Sequence, residues 1–173
     1  MIPWGYPFKF IHRDWNCGKG IRYTDVYRFK STKSNLTYFV NVELYGCNMY
    51  SVKFYQKNHK LSPRKYQILS NTFEPRTIIY TCMSIMGEIL KINPYASFGF
   101  IGSNCDGESV ENTKRYRFYS RIVATKIDNL RFLHIENVEK SAYLLVNRRE
   151  LDRTPDLMDK IEEEFSDLYD YFE

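Results

Sequence analysis

At 173 residues, with 43% apolar and 27% charged residues, the chain has the size and composition of one compact domain with a proper hydrophobic core, which excludes a disordered or fibrous protein. Its aromatic content is high, with 15 Tyr and 12 Phe, residues that favour strands and half-buried sheet faces. The formal charge of +4 hides an asymmetry: from Glu150 onward 10 acidic residues stand against Arg153 and Lys160, a net of −8, so the first 149 residues carry a net of +12.

In chain order, the first twenty residues are rich in aromatics and broken by Pro3, Pro7, Gly18 and Gly20, and read as a packed arm with room for one short strand. Ile21 to Lys30 then alternates, with Ile21, Tyr23, Asp25, Tyr27 and Phe29 on one face. Leu36, Tyr38, Val40, Val42 and Leu44 repeat the period-two signal. Gly46-Cys47 has the Gly-first form of a two-residue hairpin turn, and Tyr50, Val52 and Phe54 alternate after it. Three antiparallel strands in a meander are predicted. Gln56 to Thr72 is polar and basic, a connection long enough to be functional or to hold a short element of its own. Pro75 suits the first turn of a helix whose stripe runs Ile78, Ile79, Cys82, Ile85, Met86, Ile89 and Leu90, stopped by Asn93-Pro94.

A strand over Ala96–Ile101, a turn-rich loop, a helix beginning near Asn112, and strands near Leu130–Ile135 and Ala142–Val146 follow. Ser109 and Asn112 both suit the start of that helix as caps. Leu157, Ile161, Phe165, Leu168, Tyr169 and Phe172 mark an acidic amphipathic helix within residues 155–173, which docks on the sheet or on a second protomer. The expected fold is a single α/β (α+β) domain over residues 1–173 with a mainly antiparallel central sheet and flanking helices, in the order β-β-β-α-β-α-β-β and a final helix.

The four cysteines lie far apart and form no C-x-x-C pair, and His12, His59 and His134 do not join them at zinc spacing. No metal site is expected. Cys82 is a core thiol on the helix stripe. The N-terminus lacks the basic-then-apolar pattern of a signal peptide, and no run approaches a membrane span. The sequence therefore reads as cytoplasmic, without membrane association. A basic body attracts phosphate on nucleic acid or on a cofactor, and an acidic helix suits a basic protein partner.

The segment E-N-T-K-R-Y-R-F-Y, residues 111–119, carries the sharpest functional signal. An Asn seven residues before a Tyr puts both on one helix face, two turns apart. With the element order, this segment resembles the second half of the GNAT superfamily, the acyl-CoA-dependent N-acetyltransferases, over roughly Tyr23 to Val146. The helix of that family typically reads N-x-x-A-x-x-L-Y, and Asn112, Arg115, Phe118 and Tyr119 fall on its marked positions. The resemblance implies acetyl-CoA or another acyl-CoA as cofactor and an amine as acceptor. It implies Asn112 as a cofactor contact and Tyr119 as the acid that protonates the departing thiolate. Lys57, Lys60, Arg64 and Lys65 would neutralise the nucleotide phosphates, and Glu43, the carboxylate of the middle meander strand, is a candidate general base.

The chain departs from the family pattern in its phosphate loop. Residues 56–77 contain no glycine where the family carries Q/R-x-x-G-x-G/A, and backbone N–H groups curl around a pyrophosphate with difficulty without glycine. Val123 stands where the family has a Gly after the Tyr, and Arg115 where it has a small residue. A non-catalytic module using the same fold, with a basic nucleic-acid face or an acidic protein-binding helix, is the alternative. The stretches N-P-Y-A-S-F-G-F-I-G, E-N-T-K-R-Y-R-F-Y and E-K-S-A-Y-L-L-V-N are also similar to a set of uncharacterised bacterial proteins, chiefly from the Bacteroidetes.

Overall fold

The computed structural model describes residues 5–66 and 74–169, with side chains given through Glu164. Strands β1 (Phe8–Asp14), β2 (Tyr23–Lys30), β3 (Thr37–Leu44) and β4 (Met49–Gln56) form the antiparallel first half of one sheet. Helix α1 (Pro75–Ile92) leads to β5 (Ser97–Ile101), and α2 (Lys114–Lys126) leads to β6 (Phe132–Asn137) and β7 (Ala142–Asn147). Helices α3 (Arg148–Arg153) and α4 (Leu157–Tyr169) close the chain. The seven strands stand in the order β1-β2-β3-β4-β5-β7-β6. All neighbours are antiparallel except β4 and β5.

Period-two alternation decides which face each strand buries. Tyr27, Phe29, Tyr38, Val40, Val42, Tyr50, Phe98, Tyr143 and Leu145 turn to one side. There they meet Ile78, Ile79, Ile85 and Ile89 of α1 and Tyr116, Ile122 and Val123 of α2. Each fully buried Ile or Val on this face contributes about 1.5–3 kcal/mol of transfer free energy. A second cluster lies on the other side, where Leu157 and Ile161 of α4 pack on Val146, Leu133, Ile135 and Leu144. The acidic helix thus docks on the sheet, and Gly46 donates its N–H to Glu164 Oε1 at 2.8 Å. Phe165, Leu168, Tyr169 and Phe172 of the predicted stripe lie outside the described side chains.

The arm and the long connection each hold the short element expected of them, while one turn position and one helix cap are corrected. The N-terminal arm contains a seven-residue edge strand, whose pairing with β2 shifts between Phe10 and His12. The β3–β4 turn centres on Cys47-Asn48 rather than Gly46-Cys47. Both residues have left-handed φ (59° and 56°), and Met49 N–H donates to Gly46 O, as in a primed turn preceded by one extra residue. The long connection after β4 holds a 3-10 turn, Lys57–His59. The α2 cap is Thr113, whose hydroxyl accepts from Tyr116 N–H at 3.1 Å, not Ser109 or Asn112.

Helix α3 is an element the periodicity did not reveal, because six residues offer too few positions for a stripe. Its Glu150 is buried, accepting from Asn48 Nδ2 and Thr154 Oγ1, each at 3.0 Å, and pairing with Arg153 at 2.8 Å. Burial alone would raise this carboxyl, but hydrogen bonds from Arg153, Thr154 and Asn48 outweigh it and hold the group below its ordinary value. A depressed folded-state value adds stability above the unfolded value and loses it as pH falls through the folded one. The melting-temperature gap between wild type and Glu150→Gln is therefore expected to be constant from pH 7 to about 5 and to shrink below about 4.5. Thermal melts across that range measure it, and a gap independent of pH would show that the carboxylate charge is not what matters.

Candidate active site and the open sheet face

Strands β4 and β5 pair over only three residues, Met49↔Ser97, Tyr50↔Phe98 and Ser51↔Gly99. Beyond Ser51, β4 continues with β3 as far as Gln56, so the two parallel strands diverge. Tyr119 of α2 bridges the divergence on the helix side. Its ring centroid lies 6.1 Å from Phe54 of β4 and 6.1 Å from Phe100 of β5, with Phe118 at 6.2 Å. Desolvation pushes the Tyr119 phenol up to about 12, the neighbouring Arg115 guanidinium opposing the shift. At that value it stays protonated and can donate a hydrogen bond to an anion. Full transfer to a thiolate whose acid has a value of about 8.5 would be uphill.

The start of α2 is held by a polar knot. Thr113 Oγ1 donates to Gly102 O at 2.6 Å, and Thr113 N–H donates to Ser141 Oγ at 2.9 Å. Ser141 Oγ in turn donates to Val110 O at 2.6 Å. This ties the helix to the end of β5 and the entry of β7. Asn112 lies outside the helix, one residue before its cap. It is exposed, with φ at 47°, its N–H donating to Val138 O and its carbonyl accepting from Arg117. Asn112 and Tyr119 therefore do not share a helix face. The expectation that they do fails because the chain turns left-handed at Asn112.

The other predicted residues scatter. Arg64 pairs with Asp106 across the mouth of the divergence, where Arg115 also donates to Tyr66 O at 2.6 Å. Lys57 sits exposed on the 3-10 turn. Glu43 points to the opposite sheet face from Tyr119, as its register between buried Val42 and partly buried Leu44 requires. It is 7% exposed, accepts from Tyr45 OH at 2.6 Å and pairs with Lys53 at 3.1 Å. A carboxylate so engaged, across the sheet from the phenol, does not form an acid–base pair with Tyr119.

Glu43 belongs instead to a cluster on the open face of β2–β4. Lys60 Nζ lies 5.8 Å from the Phe39 ring, and Lys65 Nζ 4.4 Å from Tyr55 and 5.2 Å from Tyr66. Lys53 Nζ is 5.6 Å from Tyr66, whose hydroxyl accepts from Asn41 Nδ2 at 2.8 Å. A cleft of about 340 Å³ adjoins this cluster, lined by His12, Asp14, Cys17, Val26, Phe39 and Lys60 among others. Phe39, Asn41, Lys53, Tyr55 and Tyr66 are absent from the sequence-predicted set. The signal for most of them lies in the alternation of β3 and β4, whose polar positions are the ones facing away from the apolar core.

Among the described residues no group of three or more His, Cys, Asp or Glu side chains could hold a metal ion. No described helix is long and apolar enough to cross a membrane. No family model matches the chain, and no curated protein or solved structure is detectably similar to it.

Proposed function

We propose that this chain is a divergent acyl-CoA-dependent N-acyltransferase of the GNAT type. One observation carries the reading: two parallel strands in an otherwise antiparallel sheet pair briefly and diverge, and the Tyr of the resembling motif bridges them. The sheet order, with one helix between β4 and β5 and another after β5, supports it. The backbone groups of β4 beyond Ser51 lack a β5 partner and could pair with the amides of a pantetheine arm. Tyr119 would present its protonated hydroxyl to the leaving sulfur, stabilising the thiolate by hydrogen bonding. The acceptor would be an amine, and a reduced, cytoplasmic setting suits the free thiols Cys17, Cys47, Cys82 and Cys105.

The rival is the same fold used only to bind, through its basic face or its acidic helix. It draws support from the glycine-free segment 56–77 and from the aromatic packing of Tyr119 itself. Calorimetry with acetyl-CoA and with CoA separates the two. Micromolar binding is expected, with Tyr119→Phe retaining affinity and losing about 10²–10⁴-fold of turnover on a competent amine. Absence of binding at millimolar cofactor would retire the acyltransferase reading in favour of the binding module.

A further inference from the structure

Among the described residues, no α-helix covers one half of one sheet face. Helices α1 and α2 cover the side of Val40 and Val42, and α4 covers β6 and β7 on the other. No described helix lies over β1–β4 on that second side, and the cleft opens there between the β1–β2 connection and the segment after β4. We propose that this cleft binds a small phosphorylated molecule with a planar ring, of the size of a nucleoside mono- or diphosphate. The site is across the sheet from Tyr119 and does not rest on the acyltransferase reading.

Charge argues for the phosphate. Lys53, Lys60 and Lys65 are held around Phe39, Tyr55 and Tyr66, and Glu43 is the carboxylate among them. Glu43, which lines the cleft, is already engaged by Lys53 and by Tyr45 OH, so Lys60 of the lining and Lys65, 4.4 Å from the Tyr55 ring beside it, remain as excess positive charge. Partial burial lowers the Lys65 ammonium, and Lys60 and Lys53 lower it further, against the pull of Glu43. A bound dianion would offset that crowding of like charges. Shape and polarity argue for the rest of the ligand. Half-buried Phe39, backed by Tyr55 at a centroid distance of 5.6 Å, and Val26 form an apolar floor for a ring. Asp14 stands at the end formed by Cys17 and Gly18, its Oδ1 accepting from Asn16 N–H at 2.9 Å. As an acceptor-only group it matches the exocyclic amine or ring N–H of a nucleobase and repels phosphate, which orients the ligand.

Calorimetry on the full chain with ADP and with GDP tests the site, using inorganic pyrophosphate and adenosine as partial probes. At least one nucleotide is expected to bind roughly tenfold or more tightly than pyrophosphate or adenosine. Lys65→Gln and Phe39→Ala should each weaken it by about tenfold, and Tyr119→Phe should leave it unchanged. Alkylation of Cys17, whose Sγ lies 3.2 Å from Thr24 Oγ1 at the cleft, supplies a readout independent of those variants and should slow when nucleotide is bound. Failure of both nucleotides to bind at millimolar concentration would overturn the proposal, even if acetyl-CoA binds. So would pyrophosphate binding as tightly as either nucleotide, or binding of an RNA oligonucleotide without either mononucleotide.

Discussion

Asn147→Ala is expected to lower the unfolding free energy by about 3 kcal/mol, read as a shift in the denaturation midpoint with an unchanged slope. Asn147 is fully buried at the end of β7 and makes polar contacts in three directions. Its Nδ2 donates to Pro94 O at 2.8 Å and Ala96 O at 2.9 Å, and its Oδ1 accepts from Arg149 N–H at 3.0 Å as the cap of α3. Its own N–H donates to Ser97 Oγ at 2.9 Å. One side chain therefore satisfies the carbonyls of the turn that delivers the chain from α1 into β5, and starts the helix that leads to α4. Alanine would remove the donor of two carbonyls and the cap together, about 1 kcal/mol for the cap and more for buried acceptors left without partners. A loss below about 1 kcal/mol would mean that water takes over these contacts at no cost.

Asn147 also marks the limit of what the sequence makes legible. Three meander strands, α1, β5, β7 and the α4 stripe that includes Leu157 and Ile161 are legible, because repeated alternation or a helical stripe gives many residues that agree on one answer, whereas the stripe leaves open whether the sheet or a second protomer covers it. The order of elements was legible for the same reason. What stayed hidden depends on single residues acting across long sequence distances. Asn147 meets Pro94 and Ala96, some fifty positions away, and no periodicity encodes that. Asn112 illustrates the same point at the site. Its seven-residue spacing to Tyr119 implies one helix face only if the helix has begun, and a left-handed φ followed by the Thr113 cap starts the helix after it. Tyr119 is an aromatic anchor in any reading, and its position between Phe54 and Phe100 follows from a strand divergence that only the pairing register reveals. The open-face cluster is legible only as basic residues of a long polar connection: nothing in the composition of that connection places Lys60 beside Phe39 or Lys65 beside Tyr55, because the side of the sheet on which it settles is not written there.

Gly102→Ala is the substitution expected to couple fold and site most directly. An added Cβ at residue 102 would stand 2.3 Å from Tyr116 N and 2.6 Å from Tyr116 Cα, both backbone atoms of α2. No side-chain rotation relieves that contact, so the first turn of α2 must move. The movement works against the hydrogen bond from Thr113 Oγ1 to Gly102 O and the bond from Thr113 N–H to Ser141 Oγ. Overpacking of this kind costs about 1–3 kcal/mol, and disturbing a buried hydrogen bond adds about 1 kcal/mol. Tyr119 lies one turn beyond Tyr116, so its ring should shift relative to Phe54 and Phe100, changing the near-ultraviolet circular dichroism of the aromatic cluster. Thr113→Val separates the two contributions, since it removes the hydroxyl without introducing the clash. It should cost about 1–2 kcal/mol and leave the aromatic signal close to wild type. If acetyl-CoA binds at the strand divergence, Gly102→Ala should weaken that binding well beyond Thr113→Val, because it displaces the Tyr119 ring, whereas Tyr119→Phe keeps the ring in place and removes only the hydroxyl. Nucleotide binding on the opposite face should be weakened much less, the link between the two being the hydrogen bond from Arg115 of α2 to Tyr66 O, next to Lys65. Equal losses of both activities in Gly102→Ala would mean that the two faces communicate through the sheet, and the sites could no longer be treated as independent.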